Sequence, residues 1–585
     1  MFIFVDKNNC VFERTSYRVP GEKHPRARKV CIGKREADGT FVGNRYYNER
    51  CAREIAEEKI SELENKVKEF QAKDNKKYIP AERTKEIAKE VVSSRKKAGL
   101  TYAIESIADK IGINASLKKQ FGDEKANIIL SLMQYMIVSK SAAMDDFTFF
   151  DADHTHTLGN TISSPTISRL FTSIKEEDIT KFFKYLNTEA PKEKKKRPYY
   201  SSFDSTAFGS YSEEIGLVAP SKGKQDPELE HFSLAAIYDS KTNMCGYYRL
   251  YRGNIPDIKT VKDLSDVANA MGFSFDGNII FDRGYSSWEN VYLIHKQLKC
   301  NIMMMLKSNF SVYSKSIEAA GNSFYKDASN FISQQGVFGT TVKQEVTLVV
   351  DGIQEKINCF VHVYYSPERY TNECLDIEDA IDFEIERVTN LITSKAVKVS
   401  DFKNNTVISD SLRKYIKVVR TSNRSVRLEK NSEAVNDRLK KAGYFAILTT
   451  ENMNAKQALY IYRGRDNVER LFNVVKNDLG FTRAEVKNDN TLQGKMFIVM
   501  LSAMVINFFK GKLRENRQKL TRKMTYNKAC LELEAIYSHK LNGKTVYCEI
   551  SERQKLLLDS LGINYPTDLI NVKVKRSYTK KSSKL

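Results

Sequence analysis

The pattern of apolar and polar positions changes several times along the chain. In the first 46 residues short runs alternate, which predicts strands at Phe2–Val5, Val11–Val19, Lys29–Ile32 and Phe41–Val42. From Asn48 to Lys73 apolar residues recur every three to five positions, so an exposed amphipathic helix is predicted there. Pro80 interrupts this pattern, and a second helix is predicted to follow it, ending near Lys97.

Residues 100 to about 188 have helical periodicity throughout. Gly112 follows the first amphipathic run and is predicted to end that helix. Lys125–Ser139 is strongly apolar and is predicted to be buried, and Ser164 with Pro165 is typical of a helix start. Short helices in a basic protein fit a helix-turn-helix-like DNA-binding unit, and a plain helical bundle fits the pattern equally well.

Beyond a basic run at Lys192–Arg197 the periodicity becomes that of alternating strands and helices. Strands are predicted at Tyr199–Ser205, Phe232–Tyr238, Cys245–Arg252, Asn278–Asp282 and Asn301–Leu306, with helices at Thr260–Met271 and Trp288–Leu298. This order predicts an α/β layer with a mixed sheet. Residues 308 to about 440 are β-rich, Tyr444–Thr449 is another strand, and one long helix is predicted from Ala455 to about Lys476.

Composition narrows the class of partner. The 585 residues include 94 Lys and Arg against 73 Asp and Glu, a net charge of +21. Such a surplus favours a polyanion, nucleic acid first and an anionic membrane surface second. The nine cysteines are scattered without a C-x-x-C pair, which argues against disulfides and zinc knuckles. His154 and His156 lie in a polar segment and are interpreted as a solvated loop pair rather than a metal site.

Membrane and export signals are not expected. Asp6 interrupts the apolar N-terminus, so no secretory signal is predicted. The longest apolar stretch, Met496–Phe509, has the length of a buried core helix.

Two aspartates are placed where chemistry often occurs. Asp204 and Asp282 each follow a predicted core strand, and ligands usually bind at strand ends in open α/β sheets. Burying a carboxylate there is costly unless it is paired or binds a metal. Taken singly, each aspartate fits a turn residue or a helix cap as well.

The predicted helix from Tyr462 to Lys476 carries the third acidic candidate. At about 100° per residue, Tyr462, Arg465, Glu469 and Lys476 share an arc of roughly 60° beside the apolar stripe. A surface ladder of ion pairs would give the same spacing. Two aspartates and a glutamate, however, suit a pair of Mg²⁺ ions in phosphodiester chemistry, with Arg and Lys holding phosphates.

Four residues carry a family resemblance. Tyr462, Arg465, Glu469 and Lys476 match the signature Y-x-x-R-x-x-x-E-x-x-x-x-x-x-K, which resembles that of the DDE transposases of bacterial insertion sequences in the IS-four superfamily. Phe281-Asp282-Arg283-Gly284-Tyr285 and Tyr200-Ser-Ser-Phe-Asp204 resemble the two aspartate motifs of that family, and Tyr251-Arg252-Gly253-Asn254 resembles a strand end found between them.

The resemblance implies a multidomain α+β protein with a ribonuclease H-like α/β catalytic core, interrupted by a β-rich insertion. It implies that Asp204, Asp282 and Glu469 are catalytic and bind Mg²⁺, for which Mn²⁺ substitutes. Tyr462, Arg465 and Lys476 would bind DNA. The implied partners are transposon ends with inverted repeats, target DNA and a second copy in a homodimeric synaptic complex. A cytoplasmic bacterial enzyme without membrane contact is expected.

The implied organisation divides the chain into seven regions. They are an N-terminal β-rich region (1–46), a helical connector (47–98), a helical DNA-binding region (99–190), the first core part (191–307), the β-rich insertion (308–442), the second core part (443–515), and a C-terminal helical region with a basic tail (516–585).

One departure leaves the hairpin step of some relatives open. Such relatives hold a flipped base on an aromatic residue, often Trp. Trp288 lies soon after Asp282 rather than in the insertion, and helix packing explains it better; Tyr364, Tyr365 and Tyr370 are substitutes. Two other functions stay open: a domesticated, non-catalytic DNA-binding protein, and a ribonuclease H-like nuclease without strand transfer.

Overall fold

The chain divides into two units, Met1–Glu90 and Val91–Leu585. The computed structural model describes residues 2–17, 26–45, 47–51, 61, 91–144, 146–189, 200–220, 229–239, 243–270, 278–350, 352–394, 396–403, 407–422, 425–520, 524–541 and 544–566. Most of the predicted helix at Asn48–Lys73, the segment that follows Pro80, the basic run at Lys192–Arg197 and the basic tail lie outside these residues.

The first unit contains an antiparallel sheet of four strands in chain order. They are β1 (Phe2–Val5), β2 (Cys10–Tyr17), β3 (Arg26–Arg35) and β4 (Phe41–Gly43). The rings of Phe4 and Phe12 stack across β1 and β2 at 5.7 Å, and the Lys29 ammonium lies 3.8 Å from the centre of the Phe12 ring. The four strands predicted from the alternating pattern are therefore confirmed.

The second unit begins with a short strand, β5 (Lys96–Lys97), and a group of helices. The helices are α1 (Gly99–Lys110), α2 (Ile113–Phe121), α3 (Asp123–Ser139), α4 (Phe147–Asp153), α5 (Ser164–Ser173) and α6 (Glu176–Glu189). Gly112 follows α1 with a φ of 82°, a conformation that favours glycine and ends the helix as predicted. The cap of α5 is Ser163 rather than Ser164, one residue earlier than predicted.

A nine-stranded mixed sheet forms the centre of this unit. Its strands are β6 (Ser201–Ser210), β7 (Glu230–Asp239), β8 (Met244–Arg252), β9 (Asn278–Phe281), β10 (Asn301–Met305), β11 (Phe331–Ile332), β12 (Val337–Val350), β13 (Ile353–Tyr365) and β16 (Tyr444–Thr449). Their order across the sheet is β11-β12-β13-β16-β10-β9-β6-β7-β8. The predicted α/β layer is thus present, and it is wider than predicted.

Within the sheet, β6 to β8 form an antiparallel meander, while β9 pairs in parallel with both β6 and β10. The connections are helical: α7 (Asp257–Ala270) leads from β8 to β9, and α8 (Trp288–Tyr292) with a π-helical turn (Leu293–Gln297) leads from β9 to β10. Parallel strands need such crossovers because a tight turn cannot join them.

The segment predicted as a β-rich insertion is only partly β. Its strands β11, β12 and β13 continue the central sheet, because β13 pairs with β16 and β16 pairs with β10. The remainder contains α9 (Ser311–Ala320), the 27-residue helix α10 (Pro367–Thr393), the strand pair β14 (Ile416–Ser422) and β15 (Ser425–Lys430), and α11 (Ser432–Leu439). Residues of α10, β14, β15 and α11 share a hydrophobic cluster of their own.

The predicted long helix after β16 is interrupted. It consists of α12 (Ala455–Arg463), α13 (Asp466–Asn473) and a π-helical turn (Val474–Asp478). The break falls at Gly464 and Arg465, where the low helix propensity of glycine makes an interruption of the helix less costly.

The C-terminal part contains α14 (Asp489–Glu515), α15 (Tyr526–Glu534) and α16 (Glu552–Leu561). The helix α14 is long and apolar enough to cross a membrane. However, 89% of its most apolar 18-residue segment is buried inside the protein, as in a core helix. A hairpin of β17 (Tyr537–Leu541) and β18 (Lys544–Tyr547), which pairs with β5, was not predicted for this region. The Asn-Gly pair between these strands in the sequence is the usual signal of such a hairpin.

Candidate active site

The sheet register brings the two predicted aspartates together. β6 and β9 are parallel, and their last paired residues are Phe203 and Phe281, whose rings lie 5.2 Å apart. Asp204 and Asp282 directly follow these two residues in the sequence, so they lie side by side. Asp282 lies at the end of β9, as predicted, but Asp204 lies within β6, which continues to Ser210 because it still pairs with β7.

Asp204 occupies a local opening in a buried strand. Residues on either side of positions 204–207 in β6 are buried, whereas these four positions are half-buried. Burial raises the pKa of the Asp204 carboxyl to about 7, the backbone N–H of Ser205 and the charge of Arg465 oppose this rise, and Asp282 and Glu469 add to it. The carboxylate therefore needs a cation in order to stay ionised at neutral pH.

Arg465 supplies a cation at the centre of the cluster. Its guanidinium forms an ion pair with Asp282 and a second one, 2.7 Å long, with Glu469. The Arg465 side chain is only 13% exposed. Burial disfavours its charge, yet the neighbouring Tyr462, Asp282 and Glu469 raise the pKa of the guanidinium. The break between α12 and α13 places Arg465 at the helix junction, where its side chain lies between the carboxylates.

Tyr462 forms one wall of the same cluster. It is 6% exposed, and its hydroxyl donates a hydrogen bond of 3.3 Å to Asp282. The Arg465 guanidinium lies 5.3 Å from the centre of its ring. Tyr462 therefore holds both Asp282 and Arg465, and burial raises the pKa of its own hydroxyl.

Lys476 lies outside the regular part of the predicted helix. It belongs to the π-helical turn, its ammonium is 5.2 Å from the centre of the Phe208 ring, and burial lowers its pKa. Asp204 and Phe208 are four residues apart on β6 and hence share one face of the sheet, separated by roughly 13 Å. Lys476 thus contacts β6 at Phe208, on the strand that carries Asp204.

The donor set of the cluster suits a hard cation. Asp204, Asp282 and Glu469 offer carboxylate oxygens, which Mg²⁺ and Mn²⁺ prefer as ligands. Among the residues that the structure describes, no three His, Cys, Asp or Glu side chains are arranged to hold a metal ion as they stand. The position between the carboxylates is taken by the Arg465 guanidinium, whose charge stands in for such a cation.

Comparison with known proteins assigns the family. The model of the transposase DDE domain matches residues 203–507, just over half of the chain. The chain belongs to the DDE transposase family. The match begins immediately before Asp204 and also spans Asp282 and Glu469, and enzymes of this family typically use divalent metals.

Other comparisons are weaker. This DDE transposase resembles a solved piggyBac transposase in a synaptic complex with hairpin DNA, with 10% sequence identity and a TM-score of 0.31. The alignment covers 79% of this chain and 78% of the other, and a score this low does not support transfer of individual residues. No curated protein matches the transposase.

Two supporting contacts of the transposase were not identified from the sequence. Tyr200, directly before β6, donates a hydrogen bond of 2.7 Å to Glu451, which follows β16. Gly253, in the predicted Gly-Asn strand end, packs against the backbone of β7, and a Cβ atom there would lie 1.8 Å from the carbonyl oxygen of His231. Both contacts join residues distant in sequence, although Tyr200 and Gly253 each belong to a motif that resembles the family.

The aromatic candidates for holding a base differ in exposure. Trp288 stacks on Phe310 at 4.9 Å and packs against the main core, which confirms the packing interpretation. Tyr364 is fully buried and donates its hydroxyl hydrogen to the carbonyl of Ala455, so it is wrong as a base-stacking candidate. Tyr365 is half-buried and Tyr370 is 37% exposed.

The interpretation of His154 and His156 as a solvated pair is wrong. Each is 8% exposed, because α3 and α4 pack around the segment that carries them. His156 is hydrogen-bonded to Ser131 and Asp151, both at 3.0 Å. The polar residues around both histidines in the sequence suggested exposure, although tertiary packing buries them.

Proposed function

We propose that the protein is a DNA transposase of the IS-four type, which cuts transposon ends and joins the 3′-hydroxyls to target DNA. The observation that carries this proposal is the cluster of Asp204, Asp282 and Glu469 around Arg465 within the matched DDE domain. The strand order β8-β7-β6-β9-β10, with the first three antiparallel and the last two parallel to β6, supports a ribonuclease H-like core.

The three carboxylates would hold Mg²⁺, or Mn²⁺ in its place. Bound there, the metal supplies charge that activates a water or a 3′-hydroxyl and stabilises the leaving oxygen. Asp204 and Asp282 set the spacing of the ligands through the strand register, and Glu469 approaches from α13. Each step exchanges or hydrolyses a phosphodiester bond, so no high-energy cofactor is required.

The basic side chains would hold DNA. Arg465, once its carboxylates are neutralised by metal, can offer its planar guanidinium to a phosphate next to the scissile bond. Tyr462 keeps that side chain directed into the site. Lys476, whose ammonium lies beside Phe208 on β6, would bind another phosphate of the same DNA.

The remaining expectations belong to the same proposal. The enzyme would act in the bacterial cytoplasm as a homodimer that pairs two transposon ends, with residues 99–190 contributing to end recognition. The DNA that flanks the coding region should contain inverted repeats, and these repeats supply the substrate for the tests.

The decisive test uses a labelled duplex with such an end, a target plasmid and Mg²⁺. Asp204→Asn, Asp282→Asn and Glu469→Gln should each lower cleavage at least about 1,000-fold, a loss of roughly 4 kcal/mol of transition-state stabilisation, while end binding persists. Asp466→Asn is the matched control, because Asp466 is an exposed carboxylate three residues before Glu469 on the same helix. Full cleavage by a cluster variant would remove that residue from the ligand set.

The products of the wild-type reaction separate the other two functions. Joined products support the transposase. Nicks or breaks without joining favour a nuclease, and binding without either favours a domesticated DNA-binding protein. The latter has no use for three clustered carboxylates, whose mutual repulsion a binding module would have no reason to maintain.

A further inference from the structure

Apart from the carboxylate cluster, a polar cavity lies in the helical part of the second unit. It has a volume of about 450 Å³ and is bounded by α1, by residues 154–159 and by the β17–β18 hairpin. None of the three clustered carboxylates lines it. Because the proposed function makes no use of this cavity, its polar side chains require another explanation.

His154 is the first of these side chains. It is 8% exposed, and neither ring nitrogen has a hydrogen-bond partner among the described residues. The nearest carboxylate oxygen, on Asp153, is 3.7 Å from Nδ1 and thus beyond hydrogen-bond distance. One face of the ring stacks on Phe150 at 4.9 Å, which fixes its orientation. A buried imidazole without partners is costly, so a ligand that bonds to it would relieve that cost.

Glu105 is the second. It extends from α1 into the same cavity, where burial raises its pKa, Asp109 adds to the rise, and the neighbouring Thr157 side chain opposes it. The neighbouring Gln134 is already satisfied, because it bonds to Thr101 and to Thr157. The cavity therefore combines a fixed polar wall with an imidazole and a carboxyl that can form further hydrogen bonds.

Aromatic rings and a cation complete the lining. Tyr102 and Tyr547 both line the cavity and contact each other edge to face, with ring centres 6.0 Å apart. Lys540, on the hairpin, is exposed at the rim. Rings, hydrogen-bonding groups and an outer cation are the three elements that proteins use for base, base edge and phosphate respectively.

We propose that this cavity binds a single nucleotide, with guanine as the preferred base. A carboxylate accepts hydrogen bonds from both N1–H and the N2 amino group of guanine, whereas thymine offers it one N–H. The base would lie against Tyr102 or Tyr547, its acceptors would face His154, and its phosphate would approach Lys540. The nucleotide is either free or an unpaired nucleotide of DNA; the second source rests on the proposed function.

Free nucleotides test the chemistry directly. Calorimetric titration of the full chain without divalent ions should show dGMP binding roughly tenfold more tightly than dTMP, as expected for one good bidentate contact. Glu105→Gln should reduce this preference to less than about threefold. Equal affinities for dGMP and dTMP in the wild type, or an unchanged preference in the variant, would overturn the assignment of the base.

The phosphate contact has its own control. Lys540→Ala should weaken dGMP several-fold and leave deoxyguanosine unaffected, because only the former carries a phosphate. Lys441→Ala removes the same charge at an exposed residue that does not line the cavity, and it should leave both affinities unchanged. Both lysines are exposed, so neither variant is expected to unfold. Inorganic phosphate competing as well as dGMP would contradict a nucleotide site.

DNA arms distinguish the two sources. If the nucleotide belongs to DNA, a duplex with one extrahelical guanine should bind more tightly than the paired duplex or one with an extrahelical thymine, and Glu105→Gln should remove the difference. If dGMP binds but these duplexes do not differ, the site takes free nucleotides. The proposal would be overturned if dGMP did not bind and the extrahelical guanine did not strengthen the binding of the duplex. Because no divalent ion is present, these results are independent of cleavage, so the transposase function can fail or hold separately.

Discussion

At the scale of single residues, Arg465 shows how the site tolerates its own charge. Three carboxylates meet where β9 leaves the sheet, and one guanidinium lies among them with only 13% of its side chain exposed. Removing one partner of a buried ion pair costs more folding stability than removing one partner of an exposed pair, because the charge left behind stays poorly solvated. Arg465 is thus the counter-ion of the cluster when no metal is bound.

Arg465→Ala should therefore destabilise the metal-free protein by about 1–3 kcal/mol. Mg²⁺ should then raise the melting temperature of the variant more than that of the wild type, because the ion replaces the lost charge. Arg463→Ala, an exposed arginine at the end of α12, is the matched control and should show neither effect. Equal Mg²⁺ shifts in all three proteins would argue against a metal among these carboxylates.

His362 is a second residue whose environment has a measurable consequence. It is fully buried in β13, where its ring nitrogens lie 2.9 Å from the hydroxyls of Thr341 and Thr449. Burial lowers its pKa to about 4, below the value of about 6.5 that is usual for histidine. The neutral ring therefore stabilises the fold fully above pH 6.5, and this contribution is lost as the pH falls toward 4.

His362→Gln should keep a polar link between the strands without titrating. Between pH 7 and pH 4.5 the wild type should lose up to about 3 kcal/mol more unfolding free energy than the variant. Urea unfolding of both proteins across this range measures the difference. Parallel pH profiles would show that His362 does not contribute.

At the scale of elements, the buried helix α14 crosses α5 at very short distance. A Cβ atom at Gly494 would lie 2.1 Å from the backbone oxygen of Phe171, so only glycine allows this crossing. The same helix contains a second glycine, Gly511, where a Cβ would meet only the end of the Arg514 side chain at 3.9 Å. The two positions separate packing from helix propensity.

Gly494→Ala should destabilise the protein by about 1–3 kcal/mol, because backbone cannot move aside as a flexible side chain can. Gly511→Ala should instead stabilise it by about 0.5–1 kcal/mol, since alanine favours the helix. Thermal and urea unfolding of the two variants checks both signs. Stabilisation by both substitutions would mean that the crossing is looser than described.

At the scale of the whole second unit, one sheet unites segments that are far apart in sequence. Tyr365 and Tyr444 are register partners in β13 and β16, and the N–H of Ser366 donates to the carbonyl of Gly443. Between these points, residues 367–442 form a region with a hydrophobic cluster of its own. The pairing of β13 with β16 therefore does not involve residues 367–442.

Replacing residues 367–442 by an Asn-Gly turn should leave the sheet folded, because β13 and β16 are antiparallel and a two-residue turn can join them. The melting temperature of the shortened chain should change by less than about 5 °C. Deleting residues 337–365 instead removes β12 and β13 from the sheet and should give an insoluble protein. Aggregation of the first deletion would show that the region supports the core.

Much of the site was predictable because its residues obey local rules. Strand alternation located β6 and β9, and the fixed rotation of a helix placed Tyr462, Arg465 and Glu469 near one another. Lys476 follows the break at Gly464 and lies in a π-helical turn, whose periodicity differs from that of a regular α-helix. The strands β17 and β18 were not predicted although an Asn-Gly pair lies between them in the sequence, and no local pattern shows that β17 pairs with the distant β5.

The sequence by itself supplied the candidates, three acids and two basic residues at spacings that resemble those of the DDE transposases, in a chain with a charge of +21 that belongs to that family. Only the tertiary structure decided how they meet. The parallel register of β6 and β9 sets Asp204 beside Asp282, and burial leaves His154 without a hydrogen-bond partner in the part of the chain that the structure describes. Spacing follows from the covalent chain and its local periodicity, whereas register and burial depend on contacts between distant segments, which no local pattern contains.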